Sequence, residues 1–172
     1  LLACCVYPAR AAEPAKPLVF DRDVLVGRLD NGLTYFIRQN EKPKNRLELR
    51  LVVRAGSVLE EEDQQGIAHF LEHMAFKGTP TRSAADVNRE LDELGAGANA
   101  FTSEENTVYY AAALPEYLMD VADLWMQLMR PSLRDEDFTI EKNVILEEIA
   151  MYKDLPQFEV MDQGRALHFK SH

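Results

Sequence analysis

Two histidines, His69 and His73, stand four residues apart with Glu72 between them. On an α-helix that spacing puts both imidazoles on one face, one turn apart, where their ring nitrogens can grip a single divalent cation. Glu72 projects beside the pair rather than away from it, and Ile67, Phe70, Leu71 and Met74 occupy the opposite arc. A helix read over Gln64 to Phe76 is therefore left with almost no solvent face. Burying two imidazoles and a carboxylate without partners costs on the order of several kcal/mol, so something should sit against them. The plainer alternative is a pair of surface or capped histidines beside a solvated glutamate.

A second segment bears on that alternative. On a helix running from about Glu136 to Lys153, Phe138, Ile140, Val144, Ile145, Ile149, Met151 and Tyr152 define a broad apolar face. Lys142, Asn143, Glu147, Lys153 and Asp154 lie on the other side, with Leu146 as an apolar exception among them. Glu141 and Glu148, seven residues apart, point in nearly the same direction, at the centre of the apolar face. A carboxylate there needs a cation or a dense hydrogen-bond shell, unless it reaches past the core to water. The histidine face lacks a third ligand and the carboxylates lack a cation. Each answers the other. His168 and His172 repeat the four-residue spacing, but no carboxylate-bearing apolar face accompanies them.

The elements that must position these residues can be read from periodicity. Val24 to Leu29 and Leu33 to Arg38 form two strand-like runs around Asp30-Asn31-Gly32, a hairpin signal because Asn and Gly tolerate positive φ. Leu47, Leu49, Leu51 and Val53 alternate with Glu48, Arg50, Val52 and Arg54, the period of a half-buried strand. Ser83 and Asp86 form a capping box ahead of Val87, Leu91 and Leu94, with Gly95 beyond. Ala98 to Thr102 and Thr107 to Ala113 read as two more strands. Pro115 opens a long helix containing Leu118, Val121, Trp125, Leu128 and Met129, closed by Pro131. Strands and helices mix without strict alternation, which argues an α+β fold. Asn99 to Thr102 follow a run of small residues, so another backbone can approach them closely; an ordinary strand paired only within its own sheet is the alternative.

His69-Phe70-Leu71-Glu72-His73, followed by Glu141-Lys142-Asn143-Val144-Ile145-Leu146-Glu147-Glu148, resembles the inverted-zinc-motif metallopeptidases, the family of pitrilysin, insulin-degrading enzyme and the mitochondrial processing peptidase β-subunit. Asp30-Asn31-Gly32-Leu33, Ala55-Gly56-Ser57, Gly66-Ile67-Ala68, Lys77-Gly78-Thr79, Asn99-Ala100-Phe101-Thr102 and Thr107-Val108-Tyr109-Tyr110 are similar to the same family. The likeness runs from about Leu25 to the end of the chain. It implies a mostly antiparallel sheet packed against helices and one zinc ion held by His69, His73 and Glu148. It also implies a zinc-activated water whose proton Glu72 takes as general base, with Glu141 as a supporting carboxylate that orients a ligand imidazole. Asn99, Ala100, Phe101 and Thr102 would form an edge strand that receives a peptide substrate as an added strand. Members are clamshells of related domains. The expectation is thus an incomplete front domain over residues 17–172, completed by the remaining domains of the full-length chain or by a homologous subunit. A non-catalytic subunit that binds or presents substrate is the rival reading, and a metal-binding module without hydrolytic activity is a third.

Composition narrows the partners. The 172 residues are 47% hydrophobic and 28% charged, as in ordinary folded proteins, with a formal charge of -10 that disfavours nucleic acid. No apolar run approaches the roughly 20 residues of a transmembrane span. The two cysteines, Cys4 and Cys5, are adjacent and can form neither a disulfide framework nor a thiolate cage in the body. Residues 1–16 read as a truncated export signal: Ala9-Arg10-Ala11 has the small-x-small cleavage pattern, and Leu1-Leu2-Ala3-Cys4 resembles a lipobox. An unstructured tail is the alternative. The expected location is the bacterial periplasm or cell envelope, with lipid attachment at Cys4 as one form.

Overall fold

The computed structural model describes Val19 and residues 21–169. The export and lipobox signals, and His172, lie outside the described residues. The chain divides into two units, one ending at Lys44 and the other beginning at Asn45.

The first unit contains an antiparallel hairpin of β1 (Val24–Arg28) and β2 (Thr34–Arg38), with Val24 opposite Arg38 and Arg28 opposite Thr34. The Leu29 amide donates to the Leu33 carbonyl (2.8 Å), closing a loop over Asp30-Asn31-Gly32. Only Gly32 of the expected pair takes positive φ, at 90°. Asn31 instead uses its side-chain oxygen, which accepts from the Leu33 amide (3.1 Å).

The second unit is built on a three-stranded antiparallel sheet of β3 (Leu47–Val53), β6 (Gly97–Thr102) and β7 (Thr107–Ala113), in the order β3-β7-β6. In β3 the leucines and Val53 are half-buried while Glu48, Arg50 and Val52 face solvent, as the alternation requires. The central strand β7 is buried along most of its length. Against the sheet lie α1 (Ile67–Ala75), α2 (Ala84–Glu93), joined through the two-residue strands β4 (Gly78–Thr79) and β5 (Arg82–Ser83), and α3 (Leu118–Leu128). The core gathers Ala75, Val87, Tyr109, Ala111, Val121, Leu124, Trp125 and Leu128 from these elements. The capping box forms as expected: Asp86 N–H donates to Ser83 Oγ and Ser83 N–H to Asp86 Oδ2. Pro115 opens a single 3-10 turn through Tyr117, from which α3 continues.

Two long helices follow, α4 (Asp135–Lys153) and α5 (Pro156–Phe169). The sequence reading has no counterpart for α5, which begins on Pro156, a residue suited to the first helical turn. Along α4 only Glu141 and Ile145 are buried. Phe138, Ile140, Val144, Ile149 and Met151 remain exposed, so the broad apolar face is covered along a strip. The strip is narrow because α1 crosses α4 along one line, with the Phe70 and Phe138 rings 4.5 Å apart at one end of it. Among the described residues, no helix is long and apolar enough to cross a membrane.

Candidate metal centre

Helix α1 begins at Ile67, three residues later than Gln64, because Gly66 sits in the left-handed region at φ 91° and cannot be a helical residue. No side chain at Gly66 caps the helix. The Glu60 carboxylate does so from the preceding loop, accepting from the Gly66 amide (2.8 Å) and the Ala68 amide (2.7 Å). Its negative charge also lies at the helix end that favours it. From that start, His69 and His73 fall on the side facing α4, half-buried, and Glu72 is 8% exposed beneath them.

Three donor atoms converge there: His69 Nε2, His73 Nε2 and Glu148 Oε2. The two imidazole nitrogens are 3.1 Å apart, Glu148 Oε2 is 3.4 Å from His73 and 3.6 Å from His69. A tetrahedral centre with nitrogen and oxygen donors about 2.0–2.2 Å from zinc holds those donors about 3.4 Å from one another. The three edges bracket that value. The chemistry fits as well: two imidazoles and one carboxylate are a donor set that zinc takes in catalytic sites. Glu147, on the far side of α4, stays exposed.

Glu141 stands behind His73. Its Oε1 accepts from His73 Nδ1 at 2.8 Å, which leaves the lone pair on Nε2, toward the other donors. Its Oε2 pairs with the Lys77 ammonium at 2.6 Å. Burial works against the Glu141 charge, but the Lys77 and His73 hydrogen bonds outweigh it and hold its pKa below the usual value. Two tyrosines sense the same collection of carboxylates. Tyr109 is pushed up to about 12, first by burial and then by the charge of Glu72. Tyr152, one turn beyond Glu148, is raised by burial and then by the charge of Glu148.

Of the four residues of the expected substrate strand, Asn99 and Phe101 face solvent while Ala100 and Thr102 turn inward. Strand β6 pairs with β7 alone among the described residues, so it is an edge. Thr102 Oγ1 donates to Glu72 Oε2 at 2.6 Å. Asn99 Oδ1 accepts from the Ala100 amide at 2.8 Å. His168 lies in α5, its ring against Phe169 at 4.7 Å, away from any cluster of metal-binding side chains among the described residues. Residue-by-residue reading missed Glu60, Lys77 and the Thr102 contact. A usable signal existed for Lys77: a buried carboxylate needs a cation, and Lys77 follows His73 by one turn.

The sequence profile of the insulinase family, peptidase family M16, matches residues 35–170. The chain belongs to the insulinase family. It is 38% identical over 158 residues to a probable zinc protease PqqL of Haemophilus influenzae, covering 86% of this chain and 16% of that protein. To an uncharacterised zinc protease of Rickettsia felis it is 39% identical over 132 residues, covering 76% of this chain and 32% of that one. The crystal structure of the periplasmic protease PqqL from Escherichia coli matches with a TM-score of 0.80 at 30% identity, over 87% of this chain and 17% of that chain. The α+β arrangement is thus an insulinase-family fold. The chain spans about a third or less of the length of these insulinase relatives.

Proposed function

We propose that this chain carries the zinc-binding and proton-transferring part of a metalloendopeptidase that cuts peptides or small proteins. The single observation that carries the reading is the convergence of three donor atoms from α1 and α4, 3.1, 3.4 and 3.6 Å apart, beside a nearly buried carboxylate. His69, His73 and Glu148 would hold one zinc ion. When bound, that ion supplies Lewis acidity, acidifying water and polarising a peptide carbonyl. Glu72 then takes a proton from the attacking water as its oxygen bonds to the carbonyl carbon. The same carboxyl group returns that proton to the amine as the carbon–nitrogen bond breaks. Glu141 fixes the tautomer and direction of His73.

The edge of β6 supports docking of an extended peptide beside Asn99, Ala100, Phe101 and Thr102, where main-chain bonds give affinity with little demand on side chains. The apolar residues that α4 and α5 turn to solvent, Ile140, Met151, Val160 and Leu167 among them, support packing of the remaining domains or of a homologous subunit there. Export to the periplasm or cell envelope accords with the periplasmic location of the Escherichia coli relative. Retention of a base-bearing motif favours an active enzyme over a presenting subunit.

Glu72→Gln in the full-length protein tests the reading. It is expected to keep one zinc ion per chain and to lose cleavage by about a hundredfold to ten-thousandfold. Unchanged cleavage would remove Glu72 from the mechanism.

A further inference from the structure

Glu72 carries its carboxylate at the end of three rotatable bonds. To meet a water proton it must be held within hydrogen-bond reach of one place. On α1 nothing in the helix itself does this for Glu72. The fixing contact comes from the sheet, thirty residues away, where Thr102 Oγ1 donates to Glu72 Oε2 at 2.6 Å. The other oxygen, Oε1, accepts no hydrogen bond among the described residues. One oxygen is tied and its twin is left to act.

Thr102 is suited to this task by its place and its type. It is the last residue of β6, paired with Thr107 of β7, so its backbone is set by the ladder. Threonine is branched at Cβ and its χ1 is stiff, so a fixed backbone leaves the hydroxyl few directions. Thr107 is itself anchored, its hydroxyl donating to the Ala55 carbonyl at 2.9 Å. At 2.6 Å the hydrogen bond is at the short end of the range for a hydroxyl donating to oxygen.

We infer that Thr102 is a positioning residue for Glu72, orienting the carboxylate from the sheet so that Oε1 is the oxygen presented to the proton. The inference rests on the assignment of Glu72 as the base. It gives β6 two tasks, an edge on which substrate can pair and a side chain that aims the base, so the two are registered through one strand.

Three variants of the full-length protein test this: Thr102→Val, Thr102→Ser and Glu72→Gln. Thr102→Val keeps the shape and loses the donor. It is expected to retain zinc stoichiometry and KM while kcat falls about tenfold to a hundredfold. Thr102→Ser restores the donor and is expected to recover most of kcat. A crystal structure of metal-free Thr102→Val should show Glu72 in more than one rotamer, a readout independent of activity. Full activity in Thr102→Val alongside an inactive Glu72→Gln would overturn the positioning role alone. A Thr102→Ser variant as slow as Thr102→Val, or a single unchanged Glu72 rotamer, would do the same. Full activity in Glu72→Gln would overturn the functional reading and this inference with it.

Discussion

Helices α1 and α4 supply the same candidate centre and are held in opposite ways. Helix α1 is short, capped by Glu60, packed into the core through Ala75, and tied to β6 through Glu72. Helix α4 is twice as long and buries only Glu141 and Ile145. Its grip on α1 runs through Phe138, Glu141 and Glu148, so much of that grip is the site itself. One helix is placed by the core and the other by the chemistry. A polar centre can thus be a structural joint, because Glu141 and Glu148 on α4 both meet histidines of α1.

The strongest way to break this contrast is Glu148→Ala. It removes the only donor that α4 gives directly to the cluster, and stoichiometric zinc binding by the full-length protein, read by metal analysis after dialysis, should be lost. Retained zinc would mean that α1 alone makes the site. Lys77→Met comes next. It leaves Glu141, 3% exposed, without its ammonium. Zinc affinity should weaken about tenfold to a hundredfold through the loosened His73. Stability should fall by about 1–3 kcal/mol, less than for a wholly buried pair because Lys77 is partly in water. Unchanged affinity in a zinc titration would show that the helix orients His73 unaided. The smallest effect sharpens the contrast: on chelation, amides of α4 beyond Glu141 should exchange about tenfold faster, and those of α1 less so. Equal change in the two helices by hydrogen exchange would erase the distinction.

What could be read in advance follows the same division. The alternation of β3, the capping box at Ser83 and Asp86, and the shared direction of Glu141 and Glu148 are local periodicities, and each forms. The start of α1 lies beyond the expected Gln64 because Gly66 looks tolerable in a helix until its φ is known. The apolar face of α4 was legible as a pattern, but a pattern does not say what covers it. Contacts between distant residues were the least legible. Glu141 and a ligand imidazole could be paired by their complementary needs, but that the imidazole is His73, 68 residues away, could not be read. Thr102 and Glu72 could not be paired at all, since a threonine in a strand signals nothing about which carboxylate its hydroxyl meets.

The Glu60 cap has a consequence for how the chain tolerates change. Each residue of an α-helix turns the next by ~100°, so wherever the first turn is pinned fixes the azimuth of every side chain after it. By clasping the amides six and eight residues ahead of it, Glu60 indexes α1 to the loop that feeds it. The length of that loop is thereby coupled to the compass bearing of His69 and His73, and an insertion on the surface could swing both rings off Glu148.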